Sequence, residues 1–127
     1  MPFDPKDFLQ LAIDLVNDAN YNHESAFRAS ISRAYYSAFL VCRTWLETRH
    51  GFSFPRTVNA HKLVVRKLRN RTVLRTLRPG RMAVADILQT IRRRGRNVAD
   101  YDLLVQIRKA DASTWIQLAQ YVIDSIP

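Results

Sequence analysis

The sequence predicts one all-α domain, a single up-and-down bundle of four to five helices, and two observations carry this prediction. Helix-interrupting residues are scarce: the chain has three glycines and five prolines, and segments 6–50, 56–78 and 96–126 contain neither. No Asn-Gly or Asp-Gly turn and no sustained alternation of apolar and polar residues indicates a β-hairpin. The 127 residues, 47% of them hydrophobic, can bury one core without a disulfide or a metal. We therefore expect residues 1–127 to form one domain.

The first two helices have recognisable start signals. Asp4 is a favourable N-cap, and Pro5 suits the first helical position because its missing N–H is not needed there. Asn22 is the expected cap of a second helix, which we place at about residues 23–50. The apolar residues of this helix recur at helical spacing, and they are Phe27, Ile31, Ala34, Tyr35, Ala38, Phe39, Cys42, Trp45 and Leu46.

Three further helices are expected. The third is predicted at about residues 57–77 and the last at about residues 109–126. The fourth lies between them and has Arg92–Arg94 at its expected C-terminal end, where cations complement the helix dipole. Gly95 either ends this helix or only weakens it, and the sequence leaves both alternatives open. The expected buried residues of the last helix are Trp115, Leu118, Ala119, Val122 and Ile126.

Basic residues are concentrated in the middle of the chain. The net charge is +9, and 16 of the 20 basic residues are arginine. Residues 1–27 carry a net charge of −4, residues 28–96 carry +15 and residues 97–127 carry −2. Because arginine binds phosphate at two points and stacks on bases, we expect a polyanion partner, RNA or DNA. The alternative is that the acidic terminal helices neutralise the middle in the folded protein.

Several kinds of site and location are not expected. Cys42 is the single cysteine, so we expect neither an internal disulfide nor a zinc site with two thiolates. No Gly-rich phosphate loop, Ser/His/Asp set or carboxylate cluster for Mg²⁺ is present, so we expect no metal and no cofactor. Residues 1–10 do not resemble a signal peptide, and no stretch is apolar for long enough to span a membrane. These features predict a soluble, cytoplasmic protein without membrane contact.

Two sequence motifs resemble those of a known family. Residues 32–39 read S-R-A-Y-Y-S-A-F inside the second helix, and residues 96–101 read R-N-V-A-D-Y after the fourth. Together with His61, they resemble the HEPN superfamily, in particular its branch with R-A-Y-Y-x-x-F and R-x-x-A-D-Y motifs. The resemblance implies a helical bundle that forms a homodimer along the face carrying the second motif, and an RNA-linked role. Many HEPN proteins are metal-independent ribonucleases, often toxins paired with a nucleotidyltransferase-type antitoxin or parts of defence systems.

The catalytic signature of such ribonucleases is an arginine, a polar residue and, a few positions later, a histidine, and the two copies form one composite site across the dimer. Arg96 and Asn97 match the first two positions, and Tyr101 stands where the histidine is expected. These three residues are therefore the catalytic candidates. A phenol ordinarily has a pKa of about 10, so tyrosine is a weaker base than histidine near neutral pH. The alternatives are an RNA-contacting face without full catalysis, and an ordinary Arg96–Asp100 ion pair beside a half-buried Tyr101.

The candidate RNA-binding residues surround these three. Arg92, Arg93 and Arg94 would add phosphate contacts. Tyr35 and Tyr36 point about 100° apart on a helix, so one is expected in the core while the other reaches Arg33 or a bound nucleotide. The expected RNA-binding set is Arg92, Arg93, Arg94, Arg33 and Tyr36. His61 is interpreted as a helix-cap or surface residue, although it could line the site, and Cys42 as a buried small hydrophobe.

Two functions of different classes follow from the sequence. The first is a homodimeric, RNA-directed HEPN-like protein, either a toxin-type ribonuclease or a degenerate relative that still binds RNA. The second is a non-catalytic helical module that binds a partner protein such as a nucleotidyltransferase. The missing histidine and the acidic terminal helices favour the second. Salt-sensitive binding of RNA would favour the first function over the second.

Overall fold

A computed structural model describes residues 2–81 and 83–127, and every regular element within these ranges is helical. This confirms the all-α prediction and the helical bundle, but the described residues form six helices instead of the predicted four to five, because the predicted third helix is divided. The elements are α1 (Lys6–Asn17), a 3₁₀ turn (Ala19–Tyr21), α2 (Glu24–Arg49), α3 (Ala60–Leu68), a single-turn α4 (Arg71–Leu74), α5 (Val84–Thr90, Ile91–Arg96 and Asn97–Tyr101 in one continuous run) and α6 (Lys109–Ser125). Among the described helices, none has the combination of length and apolarity required to cross a membrane.

The central element is α2, which contacts α1, α3, α5 and α6. Its 26 residues are apolar or small on every side that faces another helix. Ala34 and Ala38 are fully buried, so the neighbouring helices can approach its backbone closely. The buried hydroxyls are satisfied locally, because Ser30 Oγ donates to the Ala26 carbonyl and Ser37 Oγ donates to the Pro5 carbonyl, each at 2.8 Å. Buried Cys42 lies on the same helix, as expected.

The structure places the N-cap of α1 at Pro5 instead of the predicted Asp4, and it also moves the cap of α2 by one residue. The Lys6 amide donates to Asp4 Oδ1 at 3.0 Å, which satisfies one of the free N–H groups of the first turn. At α2 the N-cap is His23 rather than Asn22. The backbone of His23 is extended, and its carbonyl accepts the amides of Ala26 and Phe27.

The predicted third helix is divided in two. Instead of one helix over residues 57–77, α3 ends at Leu68 and α4 begins at Arg71. The cause is Asn70, whose backbone is extended and whose Oδ1 accepts the Thr72 amide at 2.9 Å. A side chain that binds the backbone in this way competes with helix continuation and caps a new helix instead.

Gly95 does not end the fourth helix, so the expectation that Arg92–Arg94 mark its C-terminus is wrong. The helix passes through a π-helical stretch, Ile91–Arg96, and continues to Tyr101. Gly95 is buried against the indole of Trp115 on α6. A Cβ at position 95 would lie 3.0 Å from Trp115 Cδ2, so glycine is what allows α5 and α6 to pack at this distance.

We expect Gly95→Val to lower the free energy of unfolding by about 1–3 kcal/mol, because the added methyl groups overlap the Trp115 ring. Chemical denaturation of the single variants and of the double variant with Trp115→Ala measures this. The double variant should be less destabilised than the sum of the two single changes, because the ring that clashes is gone. Simple additivity would contradict a close contact between the two positions.

The buried face of α6 is rotated relative to the prediction. Ala119 and Val122 are buried as expected, and Ile116 and Ile123 join them. Trp115, Leu118 and Ile126 are only partly buried and pack against the edge of the core. The rotation places one side of the Trp115 ring on Gly95.

Candidate functional site

Arg96 is the centre of a polar cluster at one end of α5. Its Nη1 donates to Asn97 Oδ1 at 3.0 Å, and its Nη2 donates to the hydroxyls of Tyr36 at 2.8 Å and Tyr101 at 3.3 Å. Its Nε lies 3.1 Å from Asp100 Oδ2, an ion pair without hydrogen-bond alignment. We refer to Tyr36, Arg96, Asn97, Asp100 and Tyr101 as the Arg96 cluster. The three catalytic candidates thus lie together, and the alternative Arg96–Asp100 ion pair is formed as well.

The Arg96 cluster has a buried side and an exposed side. The Arg96 side chain is only 14% exposed, whereas Tyr101 is 69% exposed. The guanidinium lies over the rings of Tyr36 and Tyr101, with 5.3 and 5.2 Å from Cζ to the ring centroids. Such cation–π contacts and the hydrogen bonds together hold the exposed ring in a fixed position. Arg96 therefore positions Tyr101 and Asn97, while Tyr101 offers the accessible surface.

Arg33 extends the Arg96 cluster along α2. Its guanidinium lies 5.3 Å from the ring centroid of Tyr36 and 5.2 Å from the ring centroid of Phe8 in α1. Tyr36 therefore has a cation over its ring from both Arg33 and Arg96. Tyr35, the adjacent residue, is only 1% exposed. This confirms the prediction that one of the two tyrosines is in the core while the other reaches Arg33.

Contrary to the expectation that they surround the catalytic candidates, none of the three consecutive arginines forms a hydrogen bond, ion pair or ring contact with the described residues of this cluster. Arg94 is exposed, whereas Arg92 and Arg93 line a separate cleft of about 410 Å³ between α3 and α5. We call it the α3/α5 cleft, and its lining residues are Tyr35, His61, Lys62, Val65, Arg66, Arg69, Leu88, Gln89, Arg92 and Arg93. The adjacent residues Tyr35 and Tyr36 thus belong to two different sites, the cleft and the Arg96 cluster.

His61 is part of the α3/α5 cleft, so its interpretation as a cap or surface residue is wrong. It lies inside the first turn of α3 and is half-buried. Its Nδ1 is 2.5 Å from the Tyr35 hydroxyl, and its ring stacks on Phe39 with centroids 4.2 Å apart. The sequence signal that could have indicated this contact is the Tyr35–Phe39 pair, four residues apart on α2 and therefore on one face.

The surroundings of His61 disfavour its charged form. Burial, with a smaller effect from the nearby charges of Arg92, Arg96 and Arg43, lowers the pKa of His61 to about 4. Burial also raises the pKa of Tyr35 far above its usual value, so this phenol keeps its proton. The buried Tyr35 hydroxyl has no acceptor other than Nδ1 among the described residues, so we assign it as the donor to Nδ1, and the neutral imidazole then has its proton on Nε2.

We expect acid to destabilise the protein through His61. The unfolded chain takes up this proton near pH 6.5 while the folded protein stays neutral there until about pH 4, so stability is full above pH 6.5 and is lost on the way down to pH 4. The loss is about 1–2 kcal/mol, since half of the imidazole faces solvent and part of the effect is screened. Denaturation curves of the wild type and His61→Phe between these pH values measure it. Equal pH dependence of the two proteins would contradict the prediction.

Arg28 was counted among the basic residues of the middle segment, and its role was missed. It donates from Nη1 to the carbonyls of Val98, Ala99 and Asp102 at 2.9–3.2 Å, and from Nη2 to the carbonyl of Val105. These carbonyls lie at the C-terminal end of α5 and in the loop after it, where most backbone acceptors lack a helical partner, and of the four only that of Val98 also accepts a backbone amide, from Asp102 at 3.0 Å. The only sequence signal for this role was the spacing of Glu24 and Arg28, four residues apart on α2.

Glu24 supports the same loop from the other side. Its carboxylate accepts the Ile107 amide at 3.0 Å and pairs with Arg28 Nε at 3.2 Å. Donation from the Ile107 amide, with a smaller effect from Arg28, lowers the pKa of Glu24 against an opposing effect of burial. Together, Glu24 and Arg28 fix the loop between α5 and α6 onto α2.

An exposed apolar segment, residues 101–105, lies on this fixed loop. Tyr101 is 69% exposed, Leu103 81%, Leu104 98% and Val105 42%. We call this segment the apolar loop. Leucines exposed to this extent on a segment held by several hydrogen bonds are unusual for a surface that stays in water. The apolar loop begins within the Arg96 cluster, because Tyr101 belongs to both.

Comparison with known proteins adds no family to these observations. No family model matches the chain, no curated protein matches it, and no solved structure matches it. Within the described residues, no three His, Cys, Asp or Glu side chains are grouped so that they could hold a metal ion. The HEPN resemblance therefore depends on the two sequence motifs alone. What the site can bind is argued from the geometry of the Arg96 cluster.

Proposed function

We propose that this chain is an RNA-directed, HEPN-like protein that acts as a homodimer through the face bearing the Arg96 cluster. One observation carries the proposal: the residues of the second motif converge on Arg96 at an exposed surface that continues directly into the apolar loop. A polar cluster with an aromatic platform suits a nucleotide chain, and an adjoining apolar segment suits a protein interface.

The charges favour RNA as the partner of this surface. Residues 28–96 carry a net charge of +15, and the guanidinium of Arg33, 5.3 Å from the Tyr36 ring centroid, adds a second cation beside the Arg96 cluster. Exposed Tyr101 offers a ring face on which a base can stack, which contributes about 1–3 kcal/mol per base in single-strand binding. Asn97 and the Tyr101 hydroxyl supply hydrogen-bond groups beside that ring.

The apolar loop favours a second copy of the chain at the same face. Leu103 and Leu104 together present a large apolar area that a copy related by twofold symmetry would bury against its own equivalent. Such pairing would bring two Arg96 clusters close to each other because Tyr101 links each cluster to its apolar loop. The HEPN resemblance implies the same arrangement, one composite site made by two copies.

The Arg96 cluster suits RNA binding better than rapid cleavage. In metal-independent cleavage, the 2′-oxygen would attack the phosphorus and lose its proton to solvent, Arg96 would stabilise the charge of the phosphorane, Tyr101 would donate a proton to the leaving 5′-oxygen and Asn97 would orient the ribose. Within the described residues no imidazole belongs to the cluster, since His61 lies in the α3/α5 cleft. General acid–base catalysis typically contributes about 10²–10⁴-fold, so we expect cleavage to be slow compared with that of HEPN ribonucleases that have the histidine.

RNA binding by the wild type and by Arg96→Ala tests the proposal. We expect wild-type binding to single-stranded RNA, measured with EDTA present, to weaken steeply between about 0.05 M and 0.2 M salt. Arg96→Ala should bind about tenfold or more weakly, because Tyr101 and Asn97 lose the group that positions them. Arg75→Ala, an exposed arginine after α4, is the matched control and should change binding by about twofold at most. Equal RNA binding and cleavage by wild type and Arg96→Ala would show that the site is wrongly assigned.

The apolar loop also supports the second function, a non-catalytic module that binds a partner protein such as a nucleotidyltransferase. A different protein could cover Leu103 and Leu104 as well as a second copy could. Measurement of the particle mass separates the two. A monomer that lacks RNA affinity at about 0.15 M salt and forms a stable heteromer with the product of a neighbouring gene would favour the partner module.

A further inference from the structure

The α3/α5 cleft collects positive charge without an acidic residue in its lining. Its cationic residues are Lys62, Arg66, Arg69, Arg92 and Arg93. Only one of them has an ion pair within residues 2–81 and 83–127, the exposed contact between Arg69 Nη2 and Asp86 Oδ1 at 2.7 Å. Like charges gathered around one concave surface repel each other, so the cleft is suited to an anion that would offset them.

Arg92 supplies a second, independent observation. Its Nε is buried and unpaired, as are those of Arg43 and Arg96, but Arg92 differs from these two because its guanidinium forms no hydrogen bond and no ion pair at all among the described residues. Buried polar atoms in proteins nearly always have a partner, and an unpaired buried guanidinium N–H is among the costliest to leave unsatisfied. A guanidinium also binds two oxygens of one phosphate group at once. The guanidinium of Arg92, which lines the cleft without a protein partner, therefore suits an anionic ligand with several oxygen acceptors.

His61 adds a neutral donor to the same cleft. Because the Tyr35 hydroxyl donates to Nδ1, the proton of the imidazole is on Nε2, which has no hydrogen-bond partner in the part of the chain that the structure describes. Val65 and Leu88 give the cleft an apolar part beside these polar groups. A cleft of about 410 Å³ is large enough for a phosphate group with a small organic substituent.

We propose that the α3/α5 cleft binds a phosphate monoester, held by Arg92, Arg93 and the α3 cations Lys62 and Arg66, with His61 Nε2–H as a further donor. A phosphate monoester carries a charge of about −1.5 to −2 at neutral pH and three acceptor oxygens, which matches several cationic donors around one point. The ligand is either a free small organic phosphate or the phosphorylated end of an RNA strand. The cleft is separate from the Arg96 cluster, so this proposal does not depend on the proposed function.

The first experiment titrates the protein with phenyl phosphate at constant ionic strength and follows the His61 imidazole by NMR. We expect a saturable change of the His61 signals and a rise in the pKa of His61, because the bound dianion offsets the charges of Arg92, Arg96 and Arg43. Arg92→Gln should weaken binding about tenfold or more, whereas Arg75→Gln, outside the cleft, should not change it. The absence of a saturable response, or equal affinity of these two variants, would overturn the proposal.

A second variant keeps the test valid if Arg92→Gln fails to fold. Lys62→Gln combined with Arg66→Gln changes two exposed residues of α3 and leaves the core intact. We expect this double variant to unfold like the wild type and to bind phenyl phosphate about tenfold or more weakly. Wild-type affinity in the folded double variant would also overturn the proposal.

A third experiment separates the two sources of the phosphate. It compares one RNA oligonucleotide with a 5′-phosphate or a 5′-hydroxyl, bound to the wild type and to Arg92→Gln. A preference for the phosphorylated RNA that disappears in the variant identifies an RNA end, and equal binding of both RNAs by a protein that binds phenyl phosphate identifies a small organic phosphate. Phenyl phosphate binding by a protein without RNA affinity would contradict the proposed function and leave the cleft assignment intact. RNA binding that depends on Arg96, without any response of His61 to phenyl phosphate, would contradict the cleft assignment and leave the proposed function intact.

Discussion

Arg28→Ala is expected to lower the free energy of unfolding by about 2–4 kcal/mol and to release the loop between α5 and α6 from α2. The Arg28 side chain is 13% exposed and donates to four backbone carbonyls, those of Val98, Ala99, Asp102 and Val105. The Val98 carbonyl also accepts the Asp102 amide at 3.0 Å, but alanine leaves the other three carbonyls without a protein donor among the described residues. Hydrogen bonds that involve a charged donor are about twice as strong as neutral ones, which places this change among the larger expected effects.

Amide hydrogen exchange measures whether the loop between α5 and α6 is released from α2. The Ile107 amide donates to Glu24, and Glu24 pairs with Arg28, so loss of Arg28 should speed exchange at Ile107 and at neighbouring loop amides. Arg28→Lys keeps the charge but lacks the planar fork, so we expect it to recover only part of the stability. The matched control is Arg49→Ala, an exposed arginine in the last turn of the same helix, with an expected change within about 0.5 kcal/mol. A stability loss in Arg28→Ala no larger than that of the control would contradict the role of Arg28.

The fold was largely predictable because its main determinants are local. The apolar and small residues of α2 recur at helical spacing, and Asp4 marks the start of α1 in the sequence itself. The errors arise at residues whose type is compatible with two different local structures. Asn70 fits a helix interior or a cap, and the structure uses it as a cap. Gly95 is compatible with a helix end or with a close contact between helices. The structure has the contact because Trp115 of α6 packs against this position, and the local sequence does not reveal that packing.

The candidate site was predictable where its residues are close in sequence and unpredictable where distant segments meet. Arg96, Asn97 and Tyr101 lie within six residues of α5, and although they do not share one helix face, the long Arg96 side chain reaches both of the others. His61 gains its partner Tyr35 only through the packing of α3 on α2. Arg28 binds carbonyls more than seventy positions away in the sequence, so no local pattern could reveal that contact.

Leu104→Asp is expected to dissociate the proposed homodimer without unfolding the protein. The side chain is 98% exposed, so its replacement should change the free energy of unfolding by about 0.5 kcal/mol or less. In a symmetric interface the carboxylate would occur twice, once from each copy, and each would be desolvated close to the other. We therefore expect the dissociation constant of the dimer to rise about 100-fold or more.

Sedimentation over a protein dilution series measures the dimer, and the chain offers a matched control. Val58→Asp places the same charge at a residue that is 80% exposed in the loop before α3, away from the second motif, and should leave the dimer unchanged. A wild type that stays monomeric, or equal dissociation by both variants, would contradict the assignment of the interface to the apolar loop.

RNA links this interface to the proposed activity. If two Arg96 clusters form one composite site, RNA binds the dimer more tightly than the monomer, and thermodynamic linkage requires RNA to strengthen dimerisation by the same factor. Leu104→Asp should then weaken RNA binding although residue 104 is not among the residues proposed to bind RNA, and high protein concentration should restore part of the loss. RNA affinity that is independent of both the variant and the protein concentration would mean that each copy binds RNA through its own Arg96 cluster alone.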